Sequence, residues 1–306
     1  MATRDGMVPA MTAKTTQLTD ESAVRGISDT AAWVAMYRAQ ESERPDAVFR
    51  DSYARRLAGE RGERIMATMA FAKRHAWSYV ARTHLFDTFV AREVREGSDL
   101  VLNLAAGLDT RPYRMQLPAS LQWVEVDLPD LIAHKDYVLR GERSVCRLER
   151  IRLDLSNVSA RRELIAELGN RAKRVTVLTE GLLVYLSADE VSELAKDLAA
   201  PSSFRRWATD LVLPALLKML QKQVGTPLSQ AGAPLKFAPA EGPVFFARTG
   251  WQPIEAHSMM HVAAKIKRLP FWMRPFALFP DSKGTKPGQI WGGGVLLENA
   301  AAGAAS

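Results

Sequence analysis

The stretch Asp99-Leu-Val-Leu-Asn-Leu-Ala-Ala-Gly-Leu-Asp-Thr-Arg111 decides the fold. Its first half is a short apolar run that ends in Ala106-Gly107, so it reads as a buried strand running into a turn. Three similar runs follow. Gln122-Trp-Val-Glu-Val-Asp127 is the second strand, Arg150-Ile-Arg-Leu-Asp154 the third and Arg174-Val-Thr-Val-Leu-Thr-Glu180 the fourth. Helical segments lie between them, from Pro129 to about Arg140 and around 161–168, and another occupies 188–199. A fifth strand opens at Phe204 and runs to Leu211. Strands alternating with helices of roughly 10–15 residues imply right-handed βαβ units and a parallel sheet.

Outward from this centre the pattern changes. Toward the N-terminus, Ser28-Asp29-Thr30 is suited to cap a helix carrying Trp33, Val34, Met36 and Tyr37. A longer helical stretch over 65–90 carries Ile65, Met69, Trp77, Val80 and Phe89 among basic residues, so 28–90 is expected to form a helical cap. Residues 214–239 break the βα rhythm and read as an inserted lid. Beyond Gly242, Trp251 and the run Ile290-Trp-Gly-Gly-Gly-Val-Leu-Leu297 are placed to close the sheet with antiparallel strands. Residues 1–20 and 299–306 read as disordered tails. The expectation is a single α/β domain over 21–298, doubly wound around a mostly parallel sheet.

Composition narrows the function. The 306 residues include 41 Lys+Arg against 34 Asp+Glu, a formal net charge of +7. Hydrophobic residues at 47% and charged residues at 25% exclude a collagen-like, membrane-embedded or unfolded chain. Leu211-Val-Leu-Pro-Ala-Leu-Leu217 is interrupted by Pro214 and falls short of the about 20 residues a membrane span needs. The polar, Thr-rich N-terminus carries no export-signal core, and the single cysteine, Cys146, can form no internal disulfide. A reducing, cytoplasmic setting is expected. The basic residues are scattered among acidic ones without a nucleic-acid motif, so nucleic acid is not an expected partner.

In an open parallel sheet, ligands bind beyond the carboxyl ends of the strands. The first turn holds one glycine in its core, Gly107, where the dinucleotide fingerprint has three, and no Walker-type loop replaces it. The chain therefore lacks a phosphate cradle, and a nucleoside without phosphates fits better. Asp127 stands about 20 residues beyond that glycine, the spacing of an acid that accepts hydrogen bonds from a ribose diol. Such charge-assisted bonds are worth roughly 1.5–3 kcal/mol each. Asp154 at the third strand end suits an adenine amine, with Leu155 offering a backbone amide and an apolar wall. An aspartate at a strand end also serves as a turn former or helix cap, and each of these positions carries that alternative.

Three ordered motifs carry a family resemblance: Val101-Leu-Asn-Leu-Ala-Ala-Gly-Leu-Asp-Thr-Arg-Pro-Tyr-Arg114, Val124-Glu-Val-Asp-Leu-Pro129 and Leu178-Thr-Glu-Gly-Leu-Leu-Val-Tyr-Leu186. Together they resemble the leucine carboxyl methyltransferase family, from about Thr30 to Leu186 and more weakly through Gly250-Trp251 to the end. The resemblance implies a Rossmann-like methyltransferase sheet of seven strands, the last antiparallel, with S-adenosyl-L-methionine as cofactor. It implies that Arg82 pairs with the methionine carboxylate of that cofactor, as a planar guanidinium does well. Gly107 would lie against the methionyl part, Asp127 would hold the ribose, Asp154 and Leu155 the adenine side, and Glu180 would sit beside the amino group. Arg38 matches a further basic residue near the carboxylate. From the residues alone Arg82 is equally a solvated helix arginine, and Glu180 a helix cap, although Ser187 stands nearer the next helix. One departure is Ala105, where many members have glycine. An alanine favours φ below zero, so the turn is expected to differ in detail there.

Methyl transfer from a sulfonium rests largely on proximity and alignment. A carboxylate acceptor, with pKa near about 4, needs no base at neutral pH, whereas a phenol near about 10 profits from one. None of the five histidines sits in a catalytic motif. Weak catalytic candidates at the acceptor cavity are Tyr185, equally read as a buried core tyrosine, and His257; His257 and His261 are spaced for one helix face, but no third ligand makes them a metal site. Cys146 has no activating neighbour in sequence. Trp272, Met273, Phe276 and Phe279 lie near Lys265, Lys267, Arg268 and Arg274, and suit an acceptor pocket, a docking surface or simply a packed helix. The expected activity is O-methylation of a small-molecule carboxylate or hydroxyl. Methylation of a protein C-terminus, and S-adenosyl-L-methionine sensing without catalysis, remain alternatives; a nicotinamide dehydrogenase is disfavoured by the missing glycines.

Overall fold

The computed structural model describes residues 27–68, 70–230, 232–286 and 288–303. Seven strands, β1 (Leu100–Leu104), β2 (Gln122–Asp127), β3 (Arg147–Arg152), β4 (Val175–Thr179), β5 (Phe204–Val212), β6 (Trp251–Ser258) and β7 (Gly292–Asn299), pair in the order β3-β2-β1-β4-β5-β7-β6. β1 pairs in parallel with both β2 and β4, so the winding reverses at β1 and opens a crevice beyond its carboxyl end. Of the two strands expected to close the sheet antiparallel, only β7 runs against the rest. It is antiparallel to β5 and to β6, which leaves β6 parallel to the first five. β3 starts earlier than its apolar residues suggested and ends at Arg152, so Asp154 lies just past the strand.

The helices are α1 (Ile27–Ser42), α2 (Ala54–Thr68), α3 (Ala70–Arg95), the one-turn α4 (Arg111–Arg114), α5 (Pro129–Val138), α6 (Val158–Arg171), α7 (Ala188–Ala199), α8 (Pro214–Gln230), α9 (Met259–Lys265) and α10 (Ala300–Gly303). Strand alternation feeds two cores. Leu100, Leu102, Leu104, Val175 and Val177 face one layer with Leu164 and Leu168 of α6 and Leu194 of α7. Val101, Trp123, Leu178, Ala208 and Leu296 face the other, against Leu85, Phe86 and Phe89 of α3. Both faces are buried, which is why the strands read as continuous apolar runs. Ser187 and Glu190 close a reciprocal capping box at the start of α7.

Three expectations need correction. Ser28-Asp29-Thr30 lie inside α1, which already starts at Ile27. The cap does not extend to residue 90, because the Phe86–Phe89 side of α3 belongs to the sheet's own covering layer. Residues 214–239, read as an inserted lid, open with α8: Pro214 occupies the first helical position, where its missing N–H costs nothing. Leu217, Val224 and Leu228 then recur at helical spacing and pack with Trp33, Met36 and Leu57 of α1 and α2. Asn299, read as the start of a tail, is the last residue of β7, and 300–303 form α10. The tail expected at 1–20, and residues 304–306, lie outside the described residues. Among the described residues, no helix is long and apolar enough to cross a membrane.

Candidate active site

The turn after β1 is the centre of the site. Ala105 and Gly107 both hold left-handed backbone, each with φ of 52°. The alanine thus keeps the conformation that glycine takes without strain, against the expectation of φ below zero. That position costs an L-residue roughly 1–2 kcal/mol. Ala105→Gly is therefore expected to leave the fold unchanged and to raise stability by about 0.5–1 kcal/mol, because the greater flexibility of unfolded glycine offsets part of the relief. Urea denaturation checks this; a loss of stability would show that the methyl makes contacts worth more than the strain.

Asp127 closes the turn. Its Oδ2 accepts from the Gly107 N–H at 2.6 Å and its Oδ1 from the Leu128 N–H at 2.7 Å. Burial pushes its carboxyl above the ordinary carboxylate range, opposed by those two N–H groups and by Lys135. Arg38, expected near a ligand carboxylate, does line the cavity, but two of its donors are committed within the protein. It is buried, pairs with Asp51 at 2.8 Å and donates to the Leu108 carbonyl, so it staples the turn to α1. Asp51 also accepts from Thr110 Oγ1 at 2.6 Å, which adds a second tie.

Beyond β4 and β5 the charges converge. Arg82, brought in by α3, donates from Nε to Glu180 Oε1 at 3.1 Å and from Nη1 to Asp210 Oδ2 at 3.0 Å. Its guanidinium also lies over the Tyr79 ring, 5.2 Å from the centroid. Burial works against its charge, but Asp210 and then Glu180 outweigh it and raise its pKa. Arg82 is thus no solvated surface arginine. Glu180 is doubly held, because its Oε2 accepts from Arg111 Nη2 at 2.8 Å. Arg111 is 3% exposed and also meets Asp87 and Asp109, each at 2.7 Å. Asn103 donates to the same Asp109 oxygen at 2.8 Å.

Arg111 and Asp210 were not singled out from the sequence. Arg111 ends the deciding stretch itself, four residues past Gly107, where it opens α4. Asp210 stands near the end of β5 and accepts from the Gly181 N–H at 2.7 Å, tying β5 to the turn after β4.

These groups form the polar floor of one cavity of about 1320 Å³, which also reaches Asp154 and Leu155. Asp154 is exposed and uses Oδ1 to accept from the Ser156 N–H at 2.9 Å, so it is a turn former that still borders the cavity. The carbonyl of Leu155 is taken by Arg161. Over the floor stand apolar side chains of α1 and α8, among them Trp33, Val34, Leu216, Met219 and Leu220, with Tyr79 and Tyr185. Tyr185 lines the cavity, and burial pushes its hydroxyl up, opposed by a hydrogen bond with Thr30 and then by Arg82. His257 does not face the cavity. It sits exposed on β6, 3.1 Å from Glu255, because strand alternation turns it away from the site. His261 lies on α9 rather than beside it on one helix, and its ring bonds Ser258 Oγ and the Phe279 carbonyl. Among the described residues no group of three or more His, Cys, Asp or Glu is placed to hold a metal. Cys146 is buried and its thiol is pushed up to about 11 by burial, with Glu125 adding to the shift. Such a thiol is unreactive near neutral pH. His75, missed in the sequence, does line the cavity; burial, and then Arg74, lowers its pKa.

Comparison with known proteins gives consistent likenesses. The family model described as leucine carboxyl methyltransferase matches residues 31–199. A Frankia alni protein bearing a provisional S-adenosyl-L-methionine-dependent methyltransferase name is 32% identical over 257 residues, covering 79% of this chain and 89% of its own. A similarly named protein of Streptomyces coelicolor is 35% identical over 187 residues, covering 58% of this chain and 66% of its own. Among solved structures, a methyltransferase, provisionally so named, of Thermobifida fusca superposes with a TM-score of 0.56 at 14% identity, over 91% of this chain and 96% of that one. This last likeness is one of fold.

Proposed function

The chain belongs to the leucine carboxyl methyltransferase family and is an S-adenosyl-L-methionine-dependent methyltransferase, and on that premise we propose that it methylates an oxygen of a small-molecule carboxylate or hydroxyl. The observation that carries the proposal is the cavity. Pockets for a single drug-sized ligand span about 300–1,000 Å³, so a volume of about 1320 Å³ has room for the cofactor and a small acceptor together. Its polar floor and apolar upper walls also suit two different occupants.

The residues present fit the cofactor. Each carboxylate oxygen has about two acceptor sites, and each oxygen of Asp127 has one filled by a backbone N–H, which leaves capacity for a ribose diol. Arg82 uses two of its five N–H donors on Glu180 and Asp210, and the rest suit the methionine carboxylate. Glu180, although held by two arginines, keeps lone pairs for an ammonium group. Leu128 and Leu155 provide apolar walls for the base. When bound, S-adenosyl-L-methionine supplies an electrophilic methyl group on its sulfonium. The chain's own part is to hold an acceptor oxygen in line and to keep water away, which Trp33, Val34 and Leu216 do by walling the cavity. For a carboxylate no base is required; for a hydroxyl, His75 is a neutral imidazole on the cavity wall, whereas Tyr185 stays protonated and serves as a donor.

The test is transfer of isotope-labelled methyl to carboxylic acids and phenols, followed by mild alkali. Release of labelled methanol identifies an ester and retention identifies an ether. Label found only in a peptide C-terminus would overturn the small-molecule reading.

Asp127 makes cofactor binding pH-dependent. The diol donates to the ionised carboxylate, so binding favours loss of the proton. Because burial raises this pKa, affinity for S-adenosyl-L-methionine is expected to begin falling, as pH is lowered, above the range where an ordinary carboxylate protonates. Titrations between neutral and mildly acidic pH check this. A flat profile in the wild type would remove Asp127 from the binding account.

A further inference from the structure

The cavity opens onto an apolar rim that is exposed among the described residues. The 3₁₀ segment Phe271–Leu278 has no buried residue. Phe271 is 79% exposed and Leu278 86%, and Trp272, Phe276, Phe279 and Ile290 are each more than half exposed. Monomeric proteins rarely leave so many large apolar side chains together in water. Trp272, Phe276, Phe279 and Ile290 also line the cavity, so the rim is its mouth.

Charge identifies what the rim meets. Residues 259–297 contain six Lys/Arg and one acid, Asp281, so this segment carries most of the chain's net charge of +7. Asp281 is turned inward, accepting from the Ser258 N–H and from Trp291 Nε1. Arg268 is committed to Glu41 and Asp46. The other five, Lys265, Lys267, Arg274, Lys283 and Lys286, are exposed and carry no ion pair among the described residues. Aromatic and aliphatic side chains that protrude among unpaired cations combine the two attractions of an interfacial anchor: apolar insertion into the acyl boundary and pairing with anionic headgroups. A protein partner would instead be met by a flatter patch depleted of lysine at its core.

We propose that this rim docks the enzyme on an anionic lipid bilayer and that the cavity mouth receives an amphiphilic acceptor from it. The docking stands on the rim alone; the amphiphilic acceptor rests on the methyl-transfer reading above.

The experiment is flotation of the full chain with phosphatidylglycerol-containing vesicles and with phosphatidylcholine vesicles, at low and high salt. It is done for the wild type and for Phe271→Ser/Leu278→Ser, two residues that do not line the cavity. The expected result is binding to the anionic vesicles, at least tenfold weaker with phosphatidylcholine, with high salt or in the variant. Trp272 fluorescence should be quenched by brominated lipid only where binding occurs. S-adenosyl-L-methionine affinity, measured on the same samples, should be unchanged in the variant, so loss of docking is separable from failure of the cofactor reading. No flotation with anionic vesicles, or flotation that the variant retains, overturns the proposal. So does a wild-type dimer in light scattering that the variant abolishes, which would assign the rim to a second copy of the chain.

Discussion

Arg111→Ala is expected to destabilise the fold by about 3–5 kcal/mol, the usual cost of breaking a buried charge set by removing one partner. Arg111 is almost fully buried and is the common partner of Asp87, Asp109 and Glu180. Its removal leaves three carboxylates around one gap, with only Arg114 close to Asp87 and Arg82 close to Glu180. Urea denaturation at neutral pH reads the loss. The acid limb supplies a second check. Burial would raise both carboxyls, but Arg114 and then Arg111 at Asp87, and Arg111, then Lys135 and Arg114, at Asp109 outweigh it and hold them below their ordinary values. Groups with depressed folded pKa contribute stability above the unfolded value, near about 3.9, and lose it as pH falls further. The wild type should therefore lose stability on acidification through that range, and the variant should lose much less. A variant as stable as the wild type, with the same acid limb, would show that the cluster is held without Arg111.

Arg82→Ala is expected to weaken S-adenosyl-L-methionine at least about a hundredfold. Truncating one member of a buried charge pair typically costs about 2–5 kcal/mol in binding, and a hundredfold is about 2.7 kcal/mol. Two effects act in the same direction. The guanidinium that suits the methionine carboxylate is lost, and Glu180 and Asp210 then present uncompensated negative charge to that same group. Arg82→Lys should recover only part of the affinity, because an ammonium cannot reproduce the fork that spans both acids. Titration of each variant, with a thermal melt to confirm folding, checks this. Equal affinity in folded Arg82→Ala would move the carboxylate contact elsewhere.

The parallel strands, their helices and the acid at the end of β2 were legible because apolar periodicity and strand-end polarity are local signals. The crevice was legible for the same reason: Gly107 and Asp127, singled out as turn glycine and strand-end acid, lie together at the switch point, where the Gly107 N–H donates to Asp127. What was missed depends on distance in the chain. Arg111 and Asp210 matter through partners as far off as Glu180 and Arg82, contacts that no local pattern announces. The helix over 214–230 went unnamed within the segment read as a lid, although Pro214 at its first position is a favourable helix start. His257 failed as a cavity residue because it lies on a strand, where alternation and not helical spacing sets its direction. Residues 86–90 were assigned to the cap because their helical period does not reveal which surface they cover. Ala105 shows the opposite case, a local preference overridden by the turn that surrounds it.

The most direct test of the central claim is calorimetric titration of wild type and Asp127→Ala with S-adenosyl-L-methionine, S-adenosylhomocysteine and NAD. Saturable binding of the first two, at least tenfold weaker in the variant, or about 1.4 kcal/mol, and no binding of NAD are the expected results. Binding of NAD in place of the other two, or an Asp127→Ala variant that binds them as tightly as the wild type, would contradict the assignment of this crevice.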